Sequence, residues 1–242
     1  SELDDMSGRK FGLGPSAAVT AATVQALDQF HGLGLNRLEL LKLAYPATMM
    51  VNDNGSGGDL AASMFGGWIA YTAFDREWVS AHRESMSTVE IVAADWPGLS
   101  VTPITPPDSL QLLVGWTGVP ASTMRLVSSV QDRKGTANNH YGEFLEQSRS
   151  CVERLVAACD AGDAAAAQEQ IRSVRQLLHR LSPESELVIE TPALRLLCDS
   201  AERAGGAPKS SGAGGGDCRI VLNYRDIDVW PLLRECEMSD IM

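Results

Sequence analysis

The sequence has no apolar run approaching the roughly 18 residues that a membrane-spanning helix requires. Its first residues, Ser1-Glu2-Leu3-Asp4-Asp5, are acidic where a secretory leader would be basic and then apolar. The expectation is a cytoplasmic chain with no membrane partner. Positive charge is also scarce: 20 Lys and Arg stand against 31 Asp and Glu, a formal net charge of -11. Such a field repels nucleic acid and anionic lipid, so any phosphate the protein binds must be held by local groups.

Paired cysteine spacings are missing. The five cysteines (Cys151, Cys159, Cys198, Cys218 and Cys236) are odd in number and form no C-x-x-C, which argues against both a disulfide framework and a zinc site. Reduced thiols are expected, three of them on apolar helix faces, acting as small hydrophobes. His31, His82, His140 and His179 lack metal spacing and assemble into no Ser-His-Asp or Cys-His set, so they read as surface or capping residues. Asp53 and Asp217 read as loop-shaping. A Walker A motif is absent. Gly12 to Ala17 does fit G-x-G-x-x-A, but residues 31–44 read as helix where a dinucleotide fold needs a second strand ending in an acid.

What is present is a chain of 242 residues, 44% hydrophobic, enough to bury one large core or two smaller ones. From Ser16 to Phe30 apolar residues surround most of a helix, the pattern of one buried on several sides. A second helix runs from Leu35 through Leu43 to a break at Tyr45-Pro46, Asn52 to Gly58 is a loop, and Asp59 to Met64 opens another helix. Gly67 to Phe74 reads as a strand. The proline-rich stretch Pro97 to Pro107 marks a boundary near residue 106, giving lobes 1–105 and 106–242. Beyond it, a strand over Leu110 to Trp116 precedes helices at about 120–133, 139–160, 164–181 and 192–204, then a loop over 209–217 and a strand over Cys218 to Tyr224. No internal repeat is visible.

Three glycine-rich stretches carry the candidate chemistry. Gly12-Leu13-Gly14-Pro15-Ser16-Ala17-Ala18 opens the first helix, where glycines let a ligand approach the backbone and free N–H groups favour an anion. Pro15 suits the first turn, and the Ser16 hydroxyl is placed to cap, to bond a phosphate or to ligate magnesium. An ordinary tight helix entry fits equally well. Asn52 to Ala61 runs a glycine loop into a helix with Asp59 at its start, where capping is the commoner role and catalysis the sharper one. Lys209-Ser-Ser-Gly-Ala-Gly-Gly-Gly-Asp217 has linker composition, yet it joins a helix to a buried strand, which is the build of an anion nest with Lys209 as point charge.

Taken in this order, the three loops resemble the second motif, central Asp loop and third motif of the GHMP small-molecule kinases. Asp53 to Ala61, Phe74-Asp-Arg, Val114-Gly-Trp-Thr and the lysine-led third loop look most like the bacterial-type phosphomevalonate kinases. The resemblance covers nearly the whole chain. It implies an α+β, two-lobed fold: an N-terminal lobe with a left-handed βαβ crossover and a C-terminal ferredoxin-like lobe, with ATP and phosphomevalonate meeting between them. It implies Gly12, Leu13, Gly14, Pro15, Ser16 and Ala17 for ATP, Ser16 for magnesium, and Asp59 at the reaction centre. Asn54, Ser56, Lys209, Ser210, Ser211, Gly212, Ala213 and Gly214 are implied for the substrate.

The implied cofactors are ATP and Mg2+, the partner is the small molecule phosphomevalonate, and a homodimer is allowed. Two features depart from the family pattern. Pro15 stands where the first serine of Gly-Leu-Gly-Ser-Ser is usual. Family members also carry earlier strands with a first motif and a lysine paired to the central Asp, so residue 1 reads as an internal start and the end at Asp240-Ile-Met as early. The alternatives are a sibling kinase acting on mevalonate or another small alcohol, and a non-catalytic nucleotide- or phosphate-binding fragment.

Overall fold

The computed structural model describes residues 14–50, 55–117, 140–185, 189–211 and 218–238. They are α+β and fall into two compact units, Gly14–Thr105 and one beginning at Pro106. The helix expected at about 120–133 lies outside the described residues.

In the first unit, α1 (Pro15–His31), α2 (Arg37–Met49) and α3 (Gly58–Phe65) precede β1 (Trp68–Thr72), α4 (Arg76–Ser85), α5 (Thr88–Ala93) and β2 (Ser100–Ile104). The boundaries follow local chemistry. Asn36 caps α2 by accepting from the N–H groups of Leu38 and Glu39, and Glu39 returns a bond to the Asn36 N–H, a complete capping box. Ser87 and Glu90 make a second box at α5, and Asp75 caps α4 through the Trp78 N–H. β1 and β2 pair antiparallel, with Trp68 opposite Ile104 and Thr72 opposite Ser100.

Three expectations change here. Pro46 does not end α2, which continues to Met49. A proline this near the C-terminus forfeits one bond, to the Lys42 carbonyl, while burial of Ala44, Tyr45 and Met49 holds the last turn in place. The Pro97 to Pro107 stretch, read only as a boundary, contains a strand, Ser100–Ile104, and its proline is tolerated in a sheet that has two strands among the described residues. And α1 is covered on one side: Ala17 and Ala21 are buried, whereas Val19 and Phe30 are 62% and 83% exposed. Alanine lends an all-round apolar look without demanding all-round burial.

The core of this unit joins Leu41, Tyr45, Leu60, Phe74, Val79, Ile91 and Trp96. Tyr45 meets Phe74 edge-on at 4.3 Å, and Phe74 meets Trp96 at 4.8 Å. The Trp96 indole donates to the Ile91 carbonyl at 2.8 Å, and buried Lys42 donates to the Ala94 carbonyl at 2.6 Å, tying α2 to the end of α5.

The second unit contains β3 (Leu110–Trp116), α6 (His140–Asp160), α7 (Ala164–Ser185), α8 (Pro192–Arg203), β4 (Ala207–Ser210), β5 (Cys218–Tyr224) and α9 (Trp230–Glu237). The antiparallel sheet has the order β3-β5-β4, pairing Trp116 with Cys218 and Ser210 with Arg219. Thr191 caps α8 with Pro192 in its first turn, as the sequence predicts. Leu197 of α8 lies where a Cβ on Gly115 would come within 2.4 Å, so helix and strand are in direct contact there. Cys159, Cys198 and Cys218 are buried and form no disulfide. Burial pushes the Cys198 thiol up to about 12, which keeps it protonated and inert.

Candidate active site

In the first unit the first two glycine stretches converge. Gly14 is the N-cap of α1 at φ 69, a conformation that favours glycine, and no side chain caps the helix. Pro15 and Ser16 occupy the first two helical positions, so the Ser16 hydroxyl, exposed, does not act as a cap. A Cβ on Gly14 would lie 3.5 Å from the Asp59 Cβ and 3.8 Å from its Oδ2. The uncapped start of α1 therefore faces the Asp59 carboxylate across van der Waals distance.

Asp59 is not an N-cap. Gly57 holds that position at φ 76, without a side-chain cap, and Asp59 is the second residue of α3, exposed, its Oδ1 accepting from the Leu60 N–H at 2.9 Å. Ser56 is exposed, and its Oγ accepts from the Gly58 N–H at 3.3 Å. Three side chains hold the turn before α3. Tyr45 and Arg76 both donate to the Gly55 carbonyl, Tyr45 at 2.7 Å, and Tyr71 donates to the Ser56 carbonyl at 2.7 Å. Burial, reinforced by neighbouring Tyr45, pushes the Tyr71 phenol up to about 12.

In the second unit, Lys209 and Ser210 lie in β4 rather than in a loop, paired opposite Ile220 and Arg219. Register with β5 and packing under α7 and α8 override the glycine-flanked composition. Ser210 is buried and Ser211 half-buried. The Lys209 ammonium donates to the Ser210 carbonyl at 2.7 Å. Burial, aided by the Arg219 charge, lowers the Lys209 pKa to about 8. Beside it is an ionic hub that sequence reasoning missed. Buried Glu190 accepts two bonds from Arg175, each 3.2 Å, ion-pairs with Arg219 and touches the His179 ring. Arg175 also reaches Asp199 and Glu202, each at 2.7 Å. Burial alone would raise the Glu190 carboxyl, but the Arg175 hydrogen bond and the surrounding cations outweigh it and lower the pKa. His179, its side chain 38% exposed, sets its Nε2 against this carboxylate.

Gly12, Leu13, Asn54, Gly212, Ala213 and Gly214 lie outside the described residues. The structure adds Tyr45, Tyr71 and Arg76 around the second loop, and Arg219 beside the third. Phe74-Asp-Arg was the local signal for Arg76. Nothing in the sequence signals the tyrosines, whose partners are 10 and 15 residues away. Among the described residues, no group of three or more His, Cys, Asp or Glu side chains could hold a metal. No helix there is long and apolar enough to cross a membrane.

The models of the GHMP kinase N-terminal and C-terminal domains match residues 5–67 and 155–224. The chain is 49% identical over 215 residues to the phosphomevalonate kinase of Streptomyces sp. strain CL190, a match spanning 89% of this chain and 58% of that enzyme. The crystal structure of the Lin0012 protein from Listeria innocua superposes with a TM-score of 0.94 at 38% identity, covering 100% of this chain and 68% of that one. A Streptococcus pneumoniae phosphomevalonate kinase in complex with phosphomevalonate and AMPPNP superposes with a TM-score of 0.86 at 33% identity, covering 99% of this chain and 69% of that one.

Proposed function

The chain belongs to the GHMP kinase family, and from that premise we propose that it transfers the γ-phosphoryl group of ATP to phosphomevalonate, giving ADP and diphosphomevalonate, a step of isoprenoid biosynthesis. The carrying observation is the juxtaposition of Gly14 with Asp59. It sets an uncapped helix N-terminus, a ready anion site, beside a carboxylate, as phosphoryl transfer requires. The choice of acceptor is supported by the 49% identity to the Streptomyces enzyme and by the phosphomevalonate bound in the Streptococcus relative.

The roles follow from the chemistry of the acceptor. A phosphate monoester loses its second proton near pH 6, so the attacking oxygen is largely ionised at neutral pH and needs little general-base help. Asp59 acts instead by orienting cationic charge at the phosphates. Gly14 to Ala17 cradle the nucleotide through backbone N–H groups, and Lys209 neutralises acceptor phosphate. Magnesium fits a site of this kind: it binds through one or two protein oxygens plus substrate phosphates and needs no protein cage. Ser16 and Asp59 are the oxygens that would hold it, and bound there it neutralises charge developing on the transferred group.

The test is ADP release by the intact protein with MgATP and phosphomevalonate, mevalonate serving as control acceptor. Release with phosphomevalonate alone is expected. Equal or greater release with mevalonate would reassign the acceptor, and nucleotide binding without turnover would leave a binding protein. Asp59→Asn should lower kcat far more than it raises KM.

A further inference from the structure

We propose that Tyr71 and Arg76, backed by Tyr45, are positioning residues that aim Asp59 by gripping two consecutive carbonyls just ahead of its helix. The three come from different elements: Tyr45 from α2, Tyr71 from β1 and Arg76 from α4. Their donors converge on the carbonyls of Gly55 and Ser56, one and two residues before the N-cap of α3.

The turn is fitted to the rings as well as bonded to them. A Cβ on Gly57 would come within 2.7 Å of the Tyr45 ring and 3.0 Å of the Tyr71 hydroxyl, and one on Gly58 within 3.5 Å of the Tyr71 ring. Among the described residues the Asp59 carboxylate takes its hydrogen bond from the adjacent Leu60 N–H. Its direction is therefore set by the turn, and the turn by the three donors. Tyr45, 2% exposed within the aromatic core, has a packing role that accounts for it. Tyr71 and Arg76 are only half-buried, and the polar end of each donates to this turn. A carbonyl can be gripped only by a protonated phenol, and the raised Tyr71 pKa keeps the proton in place throughout neutral and mildly alkaline pH.

The inference rests on the phosphoryl-transfer reading, and its test separates the two. In the intact protein, Tyr71→Phe deletes the donor and keeps the ring. It should lower kcat roughly 10- to 100-fold with KM for MgATP within about twofold, the signature of a misdirected group rather than a lost binding contact. In an Asp59→Asn background the same change should cost nothing further, because Tyr71 acts through Asp59. Amide hydrogen exchange should quicken at residues 57–61 and stay unchanged in α1. Unchanged kcat in an active protein, or factors that multiply in the double variant, would overturn the proposal and leave the phosphoryl-transfer reading standing. A wild-type protein silent with both acceptors, whose exchange at 57–61 still responds to Tyr71→Phe, would sink that reading and leave the grip on the Asp59 turn intact. Silence together with unaltered exchange would sink both.

Discussion

A lysine whose ammonium is lowered to a pKa of about 8 sits at the edge of losing its charge under mildly alkaline conditions. If Lys209 meets acceptor phosphate as a cation, kcat/KM for phosphomevalonate falls as pH rises through about 8, since that parameter reports groups of the free enzyme. Lys209→Arg should carry the limb to higher pH, and Lys209→Met should raise KM for the acceptor throughout. Superimposable wild-type and Lys209→Arg profiles would return Lys209 to a purely structural place in β4. Stability has its own sign. Between about pH 8 and 10.5 the unfolded chain holds a proton at Lys209 that the folded chain does not, so this residue's contribution to stability rises with pH in that window.

At the scale of elements, the Glu190 hub pins α7, α8 and β5 together: Arg175 is on the first, Asp199 and Glu202 on the second, Arg219 on the third. Arg219 sits opposite Ser210, so the hub also steadies the strands that frame the third glycine stretch. Glu190→Gln would leave two buried guanidiniums short of their carboxylate, a change costing about 3–5 kcal/mol. Urea unfolding should read that loss at neutral pH. Because the folded carboxyl is lowered from 4.5, the contribution is fully present above 4.5 and fades as pH falls through the lower folded value. A shift under about 1 kcal/mol would mean that Asp199 and Glu202 suffice for Arg175 and that the amide oxygen left by the substitution suffices for Arg219.

At the scale of the whole molecule, each unit has a hydrophobic cluster among the described residues. Leu60 belongs to the cluster of the first unit and Leu197 to that of the second, each 2% exposed. Truncating either to alanine should cost about 2–5 kcal/mol, and Leu197→Ala toward the upper end because its partner Gly115 has no side chain to fill the gap. Hydrogen exchange mapped along the chain should show lost protection centred in the unit that carries the substitution. The net charge of -11 acts at this scale too, as a field that repels anions and leaves their attraction to local cations.

Glycine spacing, helix caps and apolar periodicity are local properties, and the sequence by itself determined what depends on them: α1, α3, β1, β3, β5 and α8, the family, and Asp59 and Lys209 as the charged residues of two motifs. Periodicity also located α6 and α7. Tertiary structure decided the rest, because the forces involved join residues distant in the chain. Core burial carried α2 through Pro46. Pairing with β1 made a strand of residues 100–104, and pairing with β5 made one of Lys209 and Ser210. Gly57 took the cap that composition assigned to Asp59, because only glycine fits a left-handed turn pressed between Tyr45 and Tyr71. Buried cations chose Glu190 as their common partner. A motif names a candidate residue, but the side chains that pack around its turn come from elsewhere in the chain and become visible only once the chain has folded.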